Sequence, residues 1–360
     1  MDEEDPLILF LYNVESEVSC GEAADLIALQ ETAGTAMQLI EALRSRGYRI
    51  LPIPVQDSLD KLRNALKPFS PETAFVFNYC DGFAGNNMAA TKIVRLLANL
   101  GFKHTGSTAE VIATSIDKSR AKRRLIANGV STPRYQVFTQ PAGFYRYNFP
   151  AIVKPMADDA SIGITADSVV TTQEGLLHRV DYVVNRYHQA ALVEEYILGR
   201  EFSVSMWGNT RVTALPITEM DYSDISDPLR RILTYDSKWD PSSFEYSHTP
   251  THCPATLAPE EEERIVDTAI RAYRAIGLRD YGRTDIRYQN GIPYIIDINE
   301  IPDLALDAGF PNAARVAGYT YAEMAEQILE FALQREGRQW HHPILKSLSP
   351  RLQTVSASSD

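Results

Sequence analysis

The stretch GRTDIRYQNGIPYIIDIN (282–299) holds two runs in which apolar and polar residues alternate around the turn Gln289-Asn290-Gly291. The alternation predicts strands from Thr284 to Tyr288 and from Tyr294 to Ile298, and an Asn-Gly pair between them favours a hairpin. Successive side chains of a strand point to opposite faces, so Arg283 and Asp285 share a face, as do Asp297 and Asn299. Pairing the strands brings the two sets together. Two carboxylates and an amide oxygen are hard ligands suited to Mg2+ beside phosphates. An arginine next to them suits the charge of a transferring phosphoryl group. A surface hairpin with scattered charges is the plainer alternative, so the rest of the chain must decide.

Upstream, the apolar run Leu7–Tyr12 reads as a buried strand, followed by a helical pattern from Glu22 to Arg46 that stops at Gly47. A strand at Tyr48–Pro52, a helix at Leu59–Leu66 and a strand at Ala74–Phe77 continue the alternation. That order implies parallel strands with crossover helices, an open α/β lobe that binds ligands at the carboxyl ends of its strands. A helix from Lys118 to Asn128 ends at Gly129. Strand patterns at Ala151–Lys154, Ala191–Glu195, Phe202–Trp207 and Val212–Ile217, with a helix at Gln173–Tyr187, make an α+β unit. The polar, aromatic-rich segment Asp221–His252 is long for a connection, and loops of that length are often functional. Helices at Glu260–Ile276 and Tyr321–Leu333 complete the pattern.

The 360 residues carry a formal net charge of −12, which argues against a nucleic-acid partner, whose phosphates need a basic face. The three cysteines, Cys20, Cys80 and Cys253, have no metal-site spacing and read as thiols of a reducing compartment. No apolar run reaches membrane-spanning length and the start, MDEED, lacks a basic leader. A cytoplasmic protein without membrane contact is the expectation.

Three further features bear on chemistry. Lys118 opens a helix after Asp117, and Lys154 ends the strand IVKP (152–155), where an ammonium reaches a phosphate as a point charge. The loop ADDASIG (157–163) follows, although its two aspartates disfavour a phosphate cradle. In VEEYILGREF (193–202) an apolar strand edge carries carboxylates that suit a nucleobase amino group and ribose hydroxyls. A strand flanked by solvated acids fits that segment equally well.

Taken in order, VFNYCDG (76–82), HTGS (104–107), IDKSRAK (116–122), GVSTPRY (129–135), IVKP (152–155), SIGIT (161–165), VEEYILGREFSV (193–204), YDSKW (235–239), CPATL (253–257), GLRDYGRTDIR (277–287) and YIIDIN (294–299) resemble the ATP-grasp superfamily, in its D-alanine–D-alanine ligase-like branch. The resemblance implies an α/β and α+β fold of three lobes: an N-terminal lobe (1–115), a central ATP-grasp lobe (116–205) and a C-terminal catalytic lobe (206–338), with 339–360 as a flexible tail. It implies ATP and Mg2+ as cofactors, one ion or two, with Mn2+ as a substitute. Lys118 and Lys154 would meet the phosphates, and Ser161 would belong to the same nucleotide site. Glu194, Glu195 and Ile197 would border the adenine, and Glu201 the ribose. Lys238 would reach the γ-phosphate, Asp285, Asp297 and Asn299 would hold the metal, and Arg283 would stabilise the transferring phosphate.

The implied reaction converts a carboxylate to an acyl phosphate and then joins it to an amine, with a homodimer suggested by the family. The segments that would hold substrate depart from the family's pattern. Ala160 and Trp239 stand where a serine and a tyrosine organise the first substrate. Pro302-Asp303-Leu304 replaces a Pro-Gly-Met turn, Ala308 stands near a serine position, and Asp297 replaces a glutamate. Glu15, Ser19, Asp81, Trp239, Asp303 and Asp307 are the expected substrate contacts. These departures favour a ligase of specialised metabolism, for example one attaching an amino acid to a mycosporine-type scaffold. D-alanine–D-alanine ligase proper, an inert ATP-binding scaffold and a phosphotransferase are the alternatives.

Overall fold

A computed structural model describes residues 6–14, 22, 26–83 and 86–338. The expected tail and two expected substrate contacts, Glu15 and Ser19, lie outside the described residues. In the N-terminal lobe, β1 (Leu7–Asn13), β2 (Ile50–Val55) and β3 (Ala74–Tyr79) form a parallel sheet in the order β2-β1-β3, connected through α1 (Leu26–Ser45) and α2 (Leu59–Leu66). The two faces of β1 sort its side chains. Ile8 and Phe10 join a core with α1, whereas Leu9 and Leu11 pack with Leu62, Leu66 and Ile93 of α2 and the next helix, α3 (Ala89–Asn99). Phe10 stacks on Phe77 at 4.7 Å.

Two helices, α4 (Ala109–Ile116) and α5 (Lys118–Ala127), lead to the central lobe. Its antiparallel sheet comprises β4 (Tyr135–Phe138), β5 (Ala151–Pro155), β6 (Val169–Val170) and β7 (Ala191–Glu195), in the order β4-β7-β5-β6, with α6 (Gln173–Tyr187) on one face. Ala151, Val153, Ala191 and Val193 point to α6 and bury its apolar stripe. The alternate positions Ile152, Lys154 and Glu194 face the other way, which puts polar chemistry on the opposite side of the sheet.

The third sheet is built on β8 (Arg200–Gly208), with β9 (Val212–Ala214), β10 (Thr218–Met220), β11 (Thr251–His252), β12 (Tyr281–Gln289) and β13 (Ile292–Asn299). Its main path is β11-β10-β8-β12-β13. Eight residues of β8, Arg200–Trp207, form one continuous ladder with β12, so this sheet begins at Arg200, within the span expected for the central lobe (116–205). The segment read as one strand, Val212–Ile217, is only three residues of β9. The chain then turns to β10, which pairs with the other half of β8. Between β10 and β11 lie two short helices, α7 (Tyr235–Trp239) and α8 (Phe244–Ser247), so the long polar segment is structured.

The amphipathic α9 (Pro259–Ile276) covers the sheet. Two last helices, α10 (Gly309–Val316) and α11 (Tyr321–Arg335), return to the N-terminal lobe. Leu39, Ile40 and Leu43 of α1 share one core with Ile328, Leu329 and Leu333 of α11. Arg46 donates to Glu326 and Tyr48 to Glu330 (3.0 Å) at its edge. A second tie joins these lobes. Asp280 accepts from Gly106 N (2.8 Å) and from Arg335 (3.0 Å), and Arg335 also donates to His104 O (2.8 Å).

Candidate active site

The floor of the cleft is one face of β8, β12 and β13. Register places Asp285 opposite Asp297 and Ser203, and Arg283 opposite Asn299. Residues directly opposite in antiparallel strands point the same way, so four residues expected from the sequence converge. Arg283 clasps Asp285 with two bonds of 3.0 Å, Ser203 Oγ donates to Asp285 Oδ1 (2.9 Å), and Asn299 Nδ2 donates to Asp285 Oδ2 (3.2 Å). Burial raises the Asp285 pKa, but Arg283 more than reverses it, and the carboxyl titrates below its usual range. Asp297 differs. Burial lifts it, Lys118 opposes the rise, and the like charges of Asp159 and Asp285 add to it. Two carboxylates and an amide oxygen on one face are a donor set that fits Mg2+.

The facing wall comes from α5, β5 and β7. Lys118 Nζ donates to Asp158 O (2.7 Å) and Asp159 Oδ1 (3.1 Å), and lies 3.8 Å from Asp297. The aspartates that argued against a phosphate cradle therefore position a lysine. One helical turn on, Lys122 donates to Thr132 Oγ1 (2.6 Å) and pairs with Glu194. Lys154 reaches the same carboxylate at 2.8 Å. Burial pushes Glu194 up, yet the two ammonium groups outweigh it and hold the carboxyl at about 2. Glu194, expected at a nucleobase edge, thus lies in the wall as the counter-ion that lets two lysines be buried.

Beside this wall, Ile152, Tyr196 and Ile232 form an apolar patch with Ile164, and Ile197 and Ile296 also line the cleft. Glu195 pairs outward with Arg134. Glu201 is held by Arg287 (2.6 Å) and by the Tyr222 hydroxyl (3.1 Å), and the Arg287 guanidinium stacks over Tyr196 and Tyr222.

The polar segment closes over this cleft. Trp239 Nε1 donates to Ala160 O (3.1 Å), Ser161 Oγ to Leu233 O (2.8 Å), and Tyr235 N to Ile164 O (2.9 Å). Ala160 and Ser161 have φ of 54° and 62°, a left-handed conformation unfavourable for both, so these three bonds hold the loop in shape. Lys238 lines the cleft with Arg283 and Asp285. Burial, then Arg283, lowers its pKa.

Of the expected substrate contacts, Trp239 is a latch of this lid. Asp303 stands at the mouth, where its charge is felt by Lys238 and Arg283. Asp81 lies past the end of β3, near Tyr79 and Tyr281. Asp307 is exposed and lines no part of the cleft, because the turn before α10 carries it away. Sequence reasoning passed over Lys122, Arg287 and Ser203. Lys122 follows Lys118 by four residues, and Arg287 follows Asp285 by two, so both spacings carried the signal. A groove of about 620 Å3 also lies between α3, α4 and Arg279, away from this chemistry.

Two lobes that grip a lysine-lined, acid-floored cleft between antiparallel sheets define an ATP-grasp protein. Residues 129–330 match the family described as "D-ala D-ala ligase C-terminus". D-alanine–D-alanine ligase of Desulforudis audaxviator is 30% identical over 300 residues, covering 82% of this chain and 91% of the relative. An uncharacterised protein, y4sG, of Sinorhizobium fredii is 31% identical over 272 residues, covering 74% of this chain and 77% of that protein. Among solved structures, the D-alanine–D-alanine ligase of Bacillus anthracis complexed with ATP superposes with a TM-score of 0.69 at 20% identity, covering 91% of this chain and 98% of that one. The chain belongs to the D-alanine–D-alanine ligase family, whose members are ADP-forming ligases of carbon–nitrogen bonds that use ATP and Mg2+.

Proposed function

We propose that this protein is an ATP- and Mg2+-dependent ligase that joins a small carboxylate to an amine, with substrates other than two D-alanines. The observation that carries the reading is the shared face of Arg283, Asp285, Asp297 and Asn299 beneath the lysine wall. When bound, the metal would supply positive charge that offsets the charge of the phosphates. Asp285, Asp297 and Asn299 would hold it. Lys118 and Lys154 would lie along the phosphates, and Ile197 and the patch at Ile152 would receive the base. Arg283 would draw charge off the phosphoryl group and then off the acyl carbonyl, with Lys238 closing from the lid. The lid bonds at Ala160 and Leu233 would exclude water from an acyl phosphate. The departures at Ala160, Trp239 and Asp303 support an acid and an amine distinct from those in the relatives' names. D-alanine–D-alanine ligation is the second reading, favoured by the level of identity to the Desulforudis enzyme.

The test is release of ADP and phosphate from Mg-ATP across amino acids and small carboxylates, with product masses. Release that needs two substrates and yields a mass one water lighter than their sum supports the ligase. ADP release with a phosphorylated product in place of a condensed one would instead make the protein a phosphotransferase.

A further inference from the structure

Arg287 of β12 lies directly opposite Glu201 of β8, so both side chains leave the sheet on the cleft face that also carries Asp285. Arg287 is 4% exposed and Glu201 7%. The contacts of the carboxylate are one-sided. Arg287 Nη2 stands 2.6 Å from Oε2, and the Tyr222 hydroxyl donates to that same oxygen at 3.1 Å. Oε1 accepts no hydrogen bond among the described residues. The carboxylate is thus pinned by one oxygen, and the other keeps its lone pairs at the wall of the cleft.

The guanidinium is itself held from several sides. Nη1 donates to Gly199 O (3.0 Å) and Nη2 to Arg231 O. Its Cζ lies 5.3 Å from the ring centre of Tyr196 and 5.5 Å from that of Tyr222, close enough for cation–π attraction. The Tyr196 hydroxyl lies 2.9 Å from both Pro228 O and Arg231 O, and Arg231 Nε donates to Ile225 O (2.8 Å). Tyr222, Ile225, Pro228 and Arg231 all belong to the start of the segment that closes over the cleft. A cation fixed this firmly gives its anionic partner one direction. The planar fork of arginine suits the task, because a lysine in its place keeps the charge but loses the second nitrogen that fixes the angle.

On the reading above, phosphates would lie along the lysines and the base on the apolar patch of Ile152, Tyr196 and Ile232. The donors between them are the sugar hydroxyls, and a carboxylate oxygen accepts from hydroxyls while it repels phosphate. We propose that Arg287 is a positioning residue for the nucleotide: by holding Oε2 of Glu201 it turns Oε1 to the hydroxyls of the ribose. The inference rests on the ATP-binding part of the proposed function and adds to it the residue that sets sugar recognition. Arg287 touches neither the sugar nor the reacting atoms, and it acts through Glu201.

The test compares Mg-ADP with Mg-2′,3′-dideoxy-ADP by calorimetry on the full chain, which measures binding without requiring ligation. The wild type is expected to bind ADP about tenfold more tightly than the dideoxy analogue, the scale of a hydrogen bond to a charged acceptor. Arg287→Met is expected to bring that ratio to within about twofold of one, and Arg287→Lys to leave it near threefold, because charge is kept and direction is lost. Tyr222→Phe, which removes the second contact to Oε2, should lower the ratio as well and carries the test where Arg287→Met does not fold. In turnover the loss should fall on KM for ATP more than on kcat. A weakening shared equally by both nucleotides, with the ratio intact, would make Arg287 merely structural and overturn the proposal. ADP binding by the wild type without preference over the dideoxy analogue would overturn it too, leaving the ATP site standing. No ADP binding by the wild type would overturn the nucleotide reading itself, and this inference with it.

Discussion

Arg283 and Asp285 form a two-point ion pair within a single strand, each nitrogen 3.0 Å from its own carboxylate oxygen. An arginine two residues from its partner points the same way by strand geometry, and β8 and β13 supply Ser203 and Asn299 to the remaining lone pairs. Asp285 is therefore held in one orientation by its own neighbours. Replacing Asp285 by asparagine should abolish ATP turnover, at least 1,000-fold by a coupled ADP assay on the scale of lost charge stabilisation. Calorimetry should show the loss of Mg2+-dependent nucleotide affinity. Turnover near that of the wild type would remove Asp285 from the metal site.

Glu194 neutralises two buried lysines at once, so its replacement should cost more than that of either lysine. Glu194→Gln leaves Lys122 and Lys154 without a counter-ion, a loss on the order of 3 kcal/mol or more. Lys122→Met leaves Lys154 on the carboxylate and should cost clearly less. Urea midpoints of the two variants decide the order, and an equal or reversed ranking would contradict the shared ion pair.

His104 donates through Nδ1 to Thr105 O (2.9 Å), and its Nε2 faces Arg279 at 3.3 Å, so the ring is neutral with Nε2 as acceptor. Burial lowers its pKa from 6.5 to about 4. A base whose folded pKa is depressed stabilises the fold above its unfolded value and loses that contribution as pH falls toward the folded value. Stability should therefore decline between pH 6.5 and about 4, by about 3 kcal/mol from this residue. Thermal midpoints of wild type and His104→Gln across that window should differ in slope, and parallel profiles would rule the residue out.

Much of this arrangement is legible in residue order, and the parts that are not have physical causes. The hairpin of β12 and β13 is visible because alternation and an Asn-Gly turn are local signals. The α6 and α2 spans likewise follow from local periodicity and Thr172 and Ser58 caps. Short helices α7 and α8 are hidden because their stability comes from contacts such as Trp239 to Ala160, far away in sequence. The role of Glu194 was concealed for a similar reason. A carboxylate on a strand edge suits a ligand equally well until Lys122, 72 residues earlier in the chain, is seen beside it. Asp307 reads as one more acid of the substrate turn until the entry to α10 takes it outward.

The lid predicts a leak. Trp239→Phe keeps the ring but removes the donor to Ala160 O, a loss of about 1 kcal/mol. Water should then reach the reaction, and ADP released without condensed product should rise about fivefold relative to product formed. Parallel product and ADP measurements give the ratio, and an unchanged ratio would mean the latch does not protect an intermediate.

The shared packing of α1 against α11, with Asp280 and Arg335 anchoring Gly106 and His104, binds the two ends of the chain into one body. Lys154 and Glu194 belong to the middle lobe, outside that body, while Asp81, Arg283 and Asp303 belong to the joined ends. On the proposed reading the nucleotide would lie against the middle lobe and the reacting substrates against the joined ends of the chain. A protein divided in this way can acquire a new substrate through a few changes on the joined ends without disturbing the lysine wall of the middle lobe.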